Sequence, residues 1–510
     1  MPHRAAHGNL RAMPAADPSR LSPRVCAISF AVLIAAAALP LLLVDVLPLV
    51  DYPNHLARMA LLARLPQDAT LARYYATDWR AIPNLAMDAL VPPLLRVMPL
   101  AAAGKVFVLA TFVLLAGGPM LLHRALAGRW SAWPLLAFLF LYGRLLLWGI
   151  LNYLFGLGLA FCALALMAAL ARRSAALRIA VGGVAALAIY FAHLMAFGVY
   201  ALMLLGIEAT FLLRAPGASP RRLVIAAATL VPPLLLMLLS GIGGGVIEYS
   251  HPLRKLDLLF STFDLYHRPF DIASFVLFVG VLALGYARRW LTLAPALVLP
   301  LALLILAYVV MPTQMAGASG VDRRMPLALA LALCAGTSWA APSRRLERQL
   351  LGGAALMFAL RLATVGLSWH QSAEEYRPLI AALAALPEGT RLAVAAPADA
   401  VNVQPTPLLH VPVLAAALRE AFVPTLFAQA GQQPVTLQPP YAALAAATSS
   451  LRVWQAYVAG GPPLDLAESG ALGRFDYVVF VGTAPFTLID SAGLAPVQLA
   501  PRWKLYRLGG

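Results

Sequence analysis

Charged side chains are scarce in this chain: Asp, Glu, Lys and Arg make up 12% of its 510 residues, against 61% for hydrophobic types. A soluble globular domain carries about 25% charge, so that class is excluded. Acids are the rarer sign, 22 against 38 basic residues. The basic excess forms no tract and no one-sided face, because the arginines are scattered between apolar runs, and this argues against a nucleic-acid partner. Cysteine is nearly absent. Cys26, Cys162 and Cys334 lie inside apolar runs without CxxC or zinc spacing, which excludes a disulfide framework or a zinc module. The run Gly241-Ile242-Gly243-Gly244-Gly245 lacks the Lys-Ser/Thr and the βαβ context of a phosphate loop or dinucleotide fingerprint. No internal repeat is present.

Long apolar runs are what the chain has in abundance. Spans are expected near 25–44, 101–122, 131–149, 152–171, 177–192, 194–213, 222–240, 272–287, 291–311, 325–341 and 350–368, about eleven membrane helices in all. Every second connection carries arginine: Arg124 and Arg129, then Arg172, Arg173 and Arg178, Arg214, Arg221 and Arg222, Arg288 and Arg289, and Arg344, Arg345 and Arg348. Placing these in the cytoplasm puts the N-terminus inside and the C-terminus outside. The basic leader before the first span reads as part of an uncleaved anchor. Three parts follow: a cytoplasmic tail 1–24, a transmembrane domain 25–369 with a long outer first loop 45–100, and an outer region 370–510. The last alternates helix-like stretches (Ser372–Leu386, Leu408–Ala421, Ala442–Val458) with strand-like runs (Arg391–Ala395, Phe475–Val481, Lys504–Leu508), the pattern of a small α/β domain.

The polar chemistry gathers on the outer side. Asp45, Asp51, His55 and Arg58 follow the first span directly. Pro53 suits the first turn of a helix, so Asp51 falls at its start, and a residue four further on shares its face. A carboxylate beside an imidazole is a general-base arrangement; helix capping by Asp51 with a surface His55 is the competing reading. Asp45, nearer the bilayer, is the alternative acid or a simple span terminator. Loop 241–271 adds His251, Arg254 and Lys255, enough polarity to line a sugar site or to form an ordinary mobile loop. Arg323 and Arg324 before the tenth span defy the positive-inside trend, which points to anion contact or to interfacial snorkelling. Arg144, at membrane depth, requires a partner or a cavity.

A long first outer loop with an acid just after the first helix, many spans and an outer C-terminal domain resemble the GT-C superfamily of membrane glycosyltransferases. The resemblance implies transfer of a sugar from a polyprenyl-phosphate donor to a lipid, glycan or protein acceptor, in a bacterial inner membrane with the active face periplasmic. By position Asp51 matches the family's catalytic base, with Asp45 as fallback and His55 assisting. Arg58, Lys255, Arg323 and Arg324 are candidates for the donor phosphate, and His251 and Arg254 for the substrate loop. Many members carry adjacent acids in that loop, whereas Asp51 is followed by Tyr52. No metal-ligand set is assigned, and Mg²⁺ or Mn²⁺ stays open as a cofactor. Membrane lipids are the surrounding partners. The rival readings are a transporter or flippase of lipid-linked glycans, and a non-catalytic envelope assembly protein.

Overall fold

A computed structural model describes residues 21–214, 217, 219–240, 246–315, 318–340, 343–397, 407–460, 472–489 and 493–509. Helix α1 (Pro23–Leu42) starts at Ser22, whose hydroxyl accepts the Val25 N–H. The first loop then folds as α2 (Tyr52–Arg64), α3 (Ala69–Tyr74), strand β1 (Tyr75–Thr77) and α4 (Ala86–Leu94). Helix α5 (Leu100–Ala127) re-enters the apolar body. After it come 3₁₀ turns (Trp133–Phe140), the short α6 (Arg144–Trp148), and α7 (Leu151–Ala169), α8 (Ala175–Ala192), α9 (Leu194–Arg214) and α10 (Arg221–Leu239). Small residues let α5 and α7 touch: a Cβ on Gly158 would sit 2.6 Å from the Leu114 backbone, and one on Gly118 2.8 Å from the Gly158 carbonyl.

The next segment builds a helical hairpin. It comprises α11 (Leu253–Phe260), α12 (Arg268–Ala287), β2 (Leu291–Leu293), α13 (Val298–Val310), β3 (Gln314–Met315), β4 (Ala318–Ser319), α14 (Met325–Gly336) and β5 (Thr337–Trp339). Strands β3 and β4 pair at one end of α13 and α14, and β2 pairs with β5 at the other, Leu291 opposite Trp339. Helix α15 (Arg344–Ala384) follows, 41 residues long.

Eight helices among the described residues are long and apolar enough to cross a membrane. They are α1, α5, α7, α8, α9, α10, α12 and α15. The three other expected spans take shorter forms. The 131–149 stretch is broken at Gly143, whose backbone is extended, and ended by Gly149 in the left-handed region. The 291–311 and 325–341 stretches each give up a turn to the β2–β5 ladder, leaving helices of 13 and 12 residues. The expected end of the last span near 368 and the expected separate helix at Ser372–Leu386 are one continuous rod. Polar residues from His370 onward take the helix out of the apolar zone without ending it.

Beyond α15 lie β6 (Leu392–Ala395), 3₁₀ turns (Pro407–Val413), α16 (Leu414–Arg419), β7 (Val435–Leu437), α17 (Pro439–Ala447), α18 (Ser450–Tyr457), β8 (Tyr477–Val481), β9 (Leu494–Leu499) and β10 (Trp503–Leu508). Four of these strands form one sheet in the order β6-β8-β10-β9, parallel between β6 and β8 and antiparallel elsewhere. Strand β7 instead pairs with β1 of the first loop, Ala76 opposite Thr436. Arg64 reinforces that junction, binding Glu420 and the Ala417 carbonyl. The first loop and the C-terminal region are therefore docked on each other.

Candidate active site

Asp51 sits where α2 and α6 meet. The Val50 and Asp51 N–H groups donate to the Leu147 and Trp148 carbonyls, at 2.8 and 3.1 Å. The approach needs a glycine next door: Gly149 has φ +82°, and a Cβ there would lie 3.0 Å from the Asp51 nitrogen. Asp51 occupies the N-cap of α2, yet its side chain makes no capping hydrogen bond. The carboxylate turns instead toward His410, with Oδ1 3.7 Å from Nε2. Burial pushes the Asp51 pKa up to about 7, against the downward pull of the Arg58 and Arg324 guanidinium groups.

The tautomer of His410 follows from its neighbours. The Phe427 N–H donates to Asn54 Oδ1 at 2.9 Å, which orients the amide. Asn54 Nδ2 then faces His410 Nδ1 at 2.6 Å as a donor, so Nδ1 accepts. The ring proton is left on Nε2, the nitrogen that faces Asp51. Burial lowers the His410 pKa to about 4, so the ring is neutral near pH 7. His410 comes from the C-terminal region, and no local pattern around it signals the pairing. Its one trace in the sequence is a lone histidine in an apolar stretch.

His55 lies on the same helix but is occupied elsewhere. Its Nε2 is 3.2 Å from the Gly149 carbonyl and its Nδ1 3.3 Å from Arg58 Nη2, so the ring donates to one and accepts from the other. The spacing of four that suggested an Asp51–His55 pair gives a backbone bond, His55 N–H to the Asp51 carbonyl, while the imidazole turns toward α6. Burial, then Arg58, lowers the His55 pKa to about 3. Arg58 is buried and forked onto Asp88, at 2.5 Å from Nε and 3.0 Å from Nη2. It reaches Asp51 through its field, and its hydrogen bonds go to Asp88 and His55. Asn152 fixes the loop that carries Asp88, accepting from Met87 N–H and donating to the Asn84 carbonyl.

The second pole is cationic. Arg323 stacks 4.5 Å above the ring of Trp148, the residue whose carbonyl holds Asp51. Its buried Nε has no hydrogen-bond partner among the described residues. Burial, followed by the field of Arg254, lowers the Arg323 pKa. Arg324 is anchored on the Ser319 and Gly320 carbonyls, and Tyr153 holds its own carbonyl. Lys255 is turned away, capping α13 through the Tyr308 and Met311 carbonyls, with Asp322 3.6 Å off. His251, just before α11, and Arg254, in its first turn, are exposed, and so is Asp45, just beyond α1. Arg144 is paired with Asp264. The glycine run 241–245 lies outside the described residues.

Hard divalent cations require several oxygen ligands. Asp51 offers one carboxylate, Asp88 is consumed by Arg58, and the remaining neighbours are an imidazole and guanidinium groups. These residues do not fit a Mg²⁺ or Mn²⁺ site. Among the described residues no cluster of three or more His, Cys, Asp or Glu groups is placed to hold a metal.

No protein-family model matches the chain, and no curated protein sequence matches it. Its similarity is to solved structures. The arabinofuranosyltransferase AftD from Mycobacteria superposes with a TM-score of 0.52 at 17% identity over 97% of this chain, which spans 40% of the length of that protein. ArnT from Cupriavidus metallidurans, solved bound to undecaprenyl phosphate, superposes with a TM-score of 0.52 at 15% identity, covering 95% of this chain and 99% of ArnT. The chain thus shares the fold of AftD and ArnT.

Proposed function

We propose that the protein is a membrane glycosyltransferase that moves a sugar from a polyprenyl-phosphate donor to an acceptor hydroxyl, with Asp51 as general base. The observation that carries this reading is that Trp148 joins the two groups: its carbonyl accepts the Asp51 N–H, and Arg323 stacks over its ring. In the step, the acceptor oxygen attacks the anomeric carbon while its proton passes to Asp51. The bond from that carbon to the phosphate oxygen breaks, and the polyprenyl phosphate leaves with the bonding pair. Arg323, with an unused Nε–H, meets the charge that develops on the leaving phosphate, and Arg324 adds its field.

His410 acts as a positioning residue, presenting Nε2–H to the carboxylate. Arg58 and Arg324 set the field around Asp51, and His55 is held on the Gly149 carbonyl beside it. The C-terminal region supports the site by supplying His410. The basic connections lie on the face away from Asp51, which supports an active face that is periplasmic in a bacterial inner membrane. Against a transporter stands the state of the in-membrane charges: Glu208 is held by Arg178 and Arg222, and Arg361 by Asp271.

The test is sugar transfer in membranes supplied with a radiolabelled polyprenyl-phosphate sugar. Asp51→Asn is expected to lower the rate by about 10²–10⁴-fold at normal protein level. An unchanged rate would remove the mechanism.

A further inference from the structure

On the membrane face away from Asp51, α12, α15 and the 3₁₀ turns Trp133–Phe140 part around a cavity of about 130 Å³. Its walls include Leu136, Leu277, Leu282, Gly353 and Met357, all apolar. Trp339 lines the same cavity, is 2% exposed, and has an indole N–H with no acceptor among the described residues. A buried donor left without an acceptor is unfavourable, so an oxygen arriving there would be stabilising.

Beyond this cavity both helical walls end in basic residues. Residues four and seven apart share a helix face, so Leu277, Val281 and Arg288 follow one line on α12, while Arg344, Glu347 and Leu351 follow another on α15. The β2–β5 ladder brings the two lines together. Leu291 is opposite Trp339, and the Ala340 N–H donates to the Trp290 carbonyl at 2.7 Å. Arg288 and Arg289 lead into that end of the ladder, and Arg344 and Arg345 follow its exit. All four are exposed, and none has an ion-pair partner among the described residues. Glu347, the acid on the wall, is buried and already has a partner. The helix rises about 16 Å between Leu277 and Arg288, close to the ~15 Å depth of one leaflet of hydrocarbon.

We infer that this groove is a built seat for an anionic phospholipid of the leaflet on that face. Part of one acyl chain enters the cavity between α12 and α15. The phosphate sits among Arg288, Arg289, Arg344 and Arg345, and Trp339 donates to an ester oxygen at the glycerol level. The seat is independent of sugar transfer, and its ligand differs from the polyprenyl donor in leaflet and in place.

Purified full-length protein in detergent is titrated with dioleoylphosphatidylglycerol and, separately, with dioleoylphosphatidylcholine, and bound lipid is counted by native mass spectrometry. Two variants are compared. Arg288→Gln/Arg344→Gln/Arg345→Gln removes exposed charge and leaves the packing intact. Gly353→Phe fills the groove; a Cβ at that position meets nothing within 4 Å, so the ring has room to enter. The expected result is retention of phosphatidylglycerol over phosphatidylcholine by the native chain. Affinity falls about fivefold for each arginine removed, and Gly353→Phe loses the lipid while its thermal midpoint in detergent stays near native. Equal retention of the two lipids by the native chain would overturn the seat, and so would unchanged phosphatidylglycerol binding in either variant.

Discussion

Asp51 carries opposing influences that make it a usable base near neutral pH. Burial raises its pKa to about 7, while Arg58 and Arg324 restrain the rise. A base must be ionised to accept a proton, so the transfer rate is expected to climb as pH passes through about 7 and to level off above it. His410 is already neutral there and contributes no limb of its own. Replacing Arg324 with Gln removes one restraint, and the rising limb should move to higher pH; a rate–pH profile of the two proteins checks the direction. Linkage has the same sign. Because the folded-state pKa lies above the ordinary carboxylate value of 3.8, Asp51 opposes folding once it ionises, so its contribution to stability falls as pH rises from about 4 to 7. Asn54→Leu tests the imidazole tautomer. Without the amide donor His410 is free to carry its proton on Nδ1, and kcat should fall while KM stays near native.

At the scale of the helix, paired charges brace the apolar bundle. Arg178 of α8 donates to Glu208 of α9 at 3.0 Å, and Arg222 of α10 binds the same carboxylate at 2.8 Å. Glu208 and Arg178 have side chains only 4% and 3% exposed, so removing one strands the other. Glu208→Ala is expected to destabilise the protein by about 3–5 kcal/mol, seen as a lower unfolding midpoint in detergent. Adding Arg178→Met to a Glu208→Leu background should recover most of that loss, since a matched apolar pair needs no charge compensation. Arg361 does the equivalent work for α15, binding Asp271 and the Phe263 and Tyr142 carbonyls. That set ties the long helix to α12 and to the turn before α6, and so to the segment that holds Asp51.

For the molecule as a whole, the decisive junction is between the first loop and the C-terminal region. Strands β1 and β7, the Arg64–Glu420 pair and the Asn54–His410 bond all cross it. Opposed residues of an antiparallel pair have Cα atoms about 4.5–5.5 Å apart, within the range a disulfide bridges. Ala76→Cys with Thr436→Cys is therefore expected to form a disulfide under mild oxidation, read as a mobility shift on non-reducing gels. The locked protein should retain sugar transfer if His410 works in the docked state. Failure to cross-link would contradict the β1–β7 register.

Sequence alone determined that the chain lies in a membrane, that its basic connections alternate with polar ones, and that its last third mixes strands with helices. Those properties are local: run length, arginine placement and side-chain periodicity can be read within a window of about 20 residues. Asp51 was legible for the same reason, as an acid at the exit of a long apolar run. Its partner was not. His410 lies 356 residues beyond Asn54, and the β1–β7 pairing, the Arg64–Glu420 pair and the packing of α16 on α2 bring it in. His55, four residues away in sequence, was pulled aside by the Gly149 carbonyl and Arg58, and Lys255 by two carbonyls at the end of α13. Spacing along a chain limits which groups can meet. The competition among all available donors and acceptors in three dimensions decides which of them do.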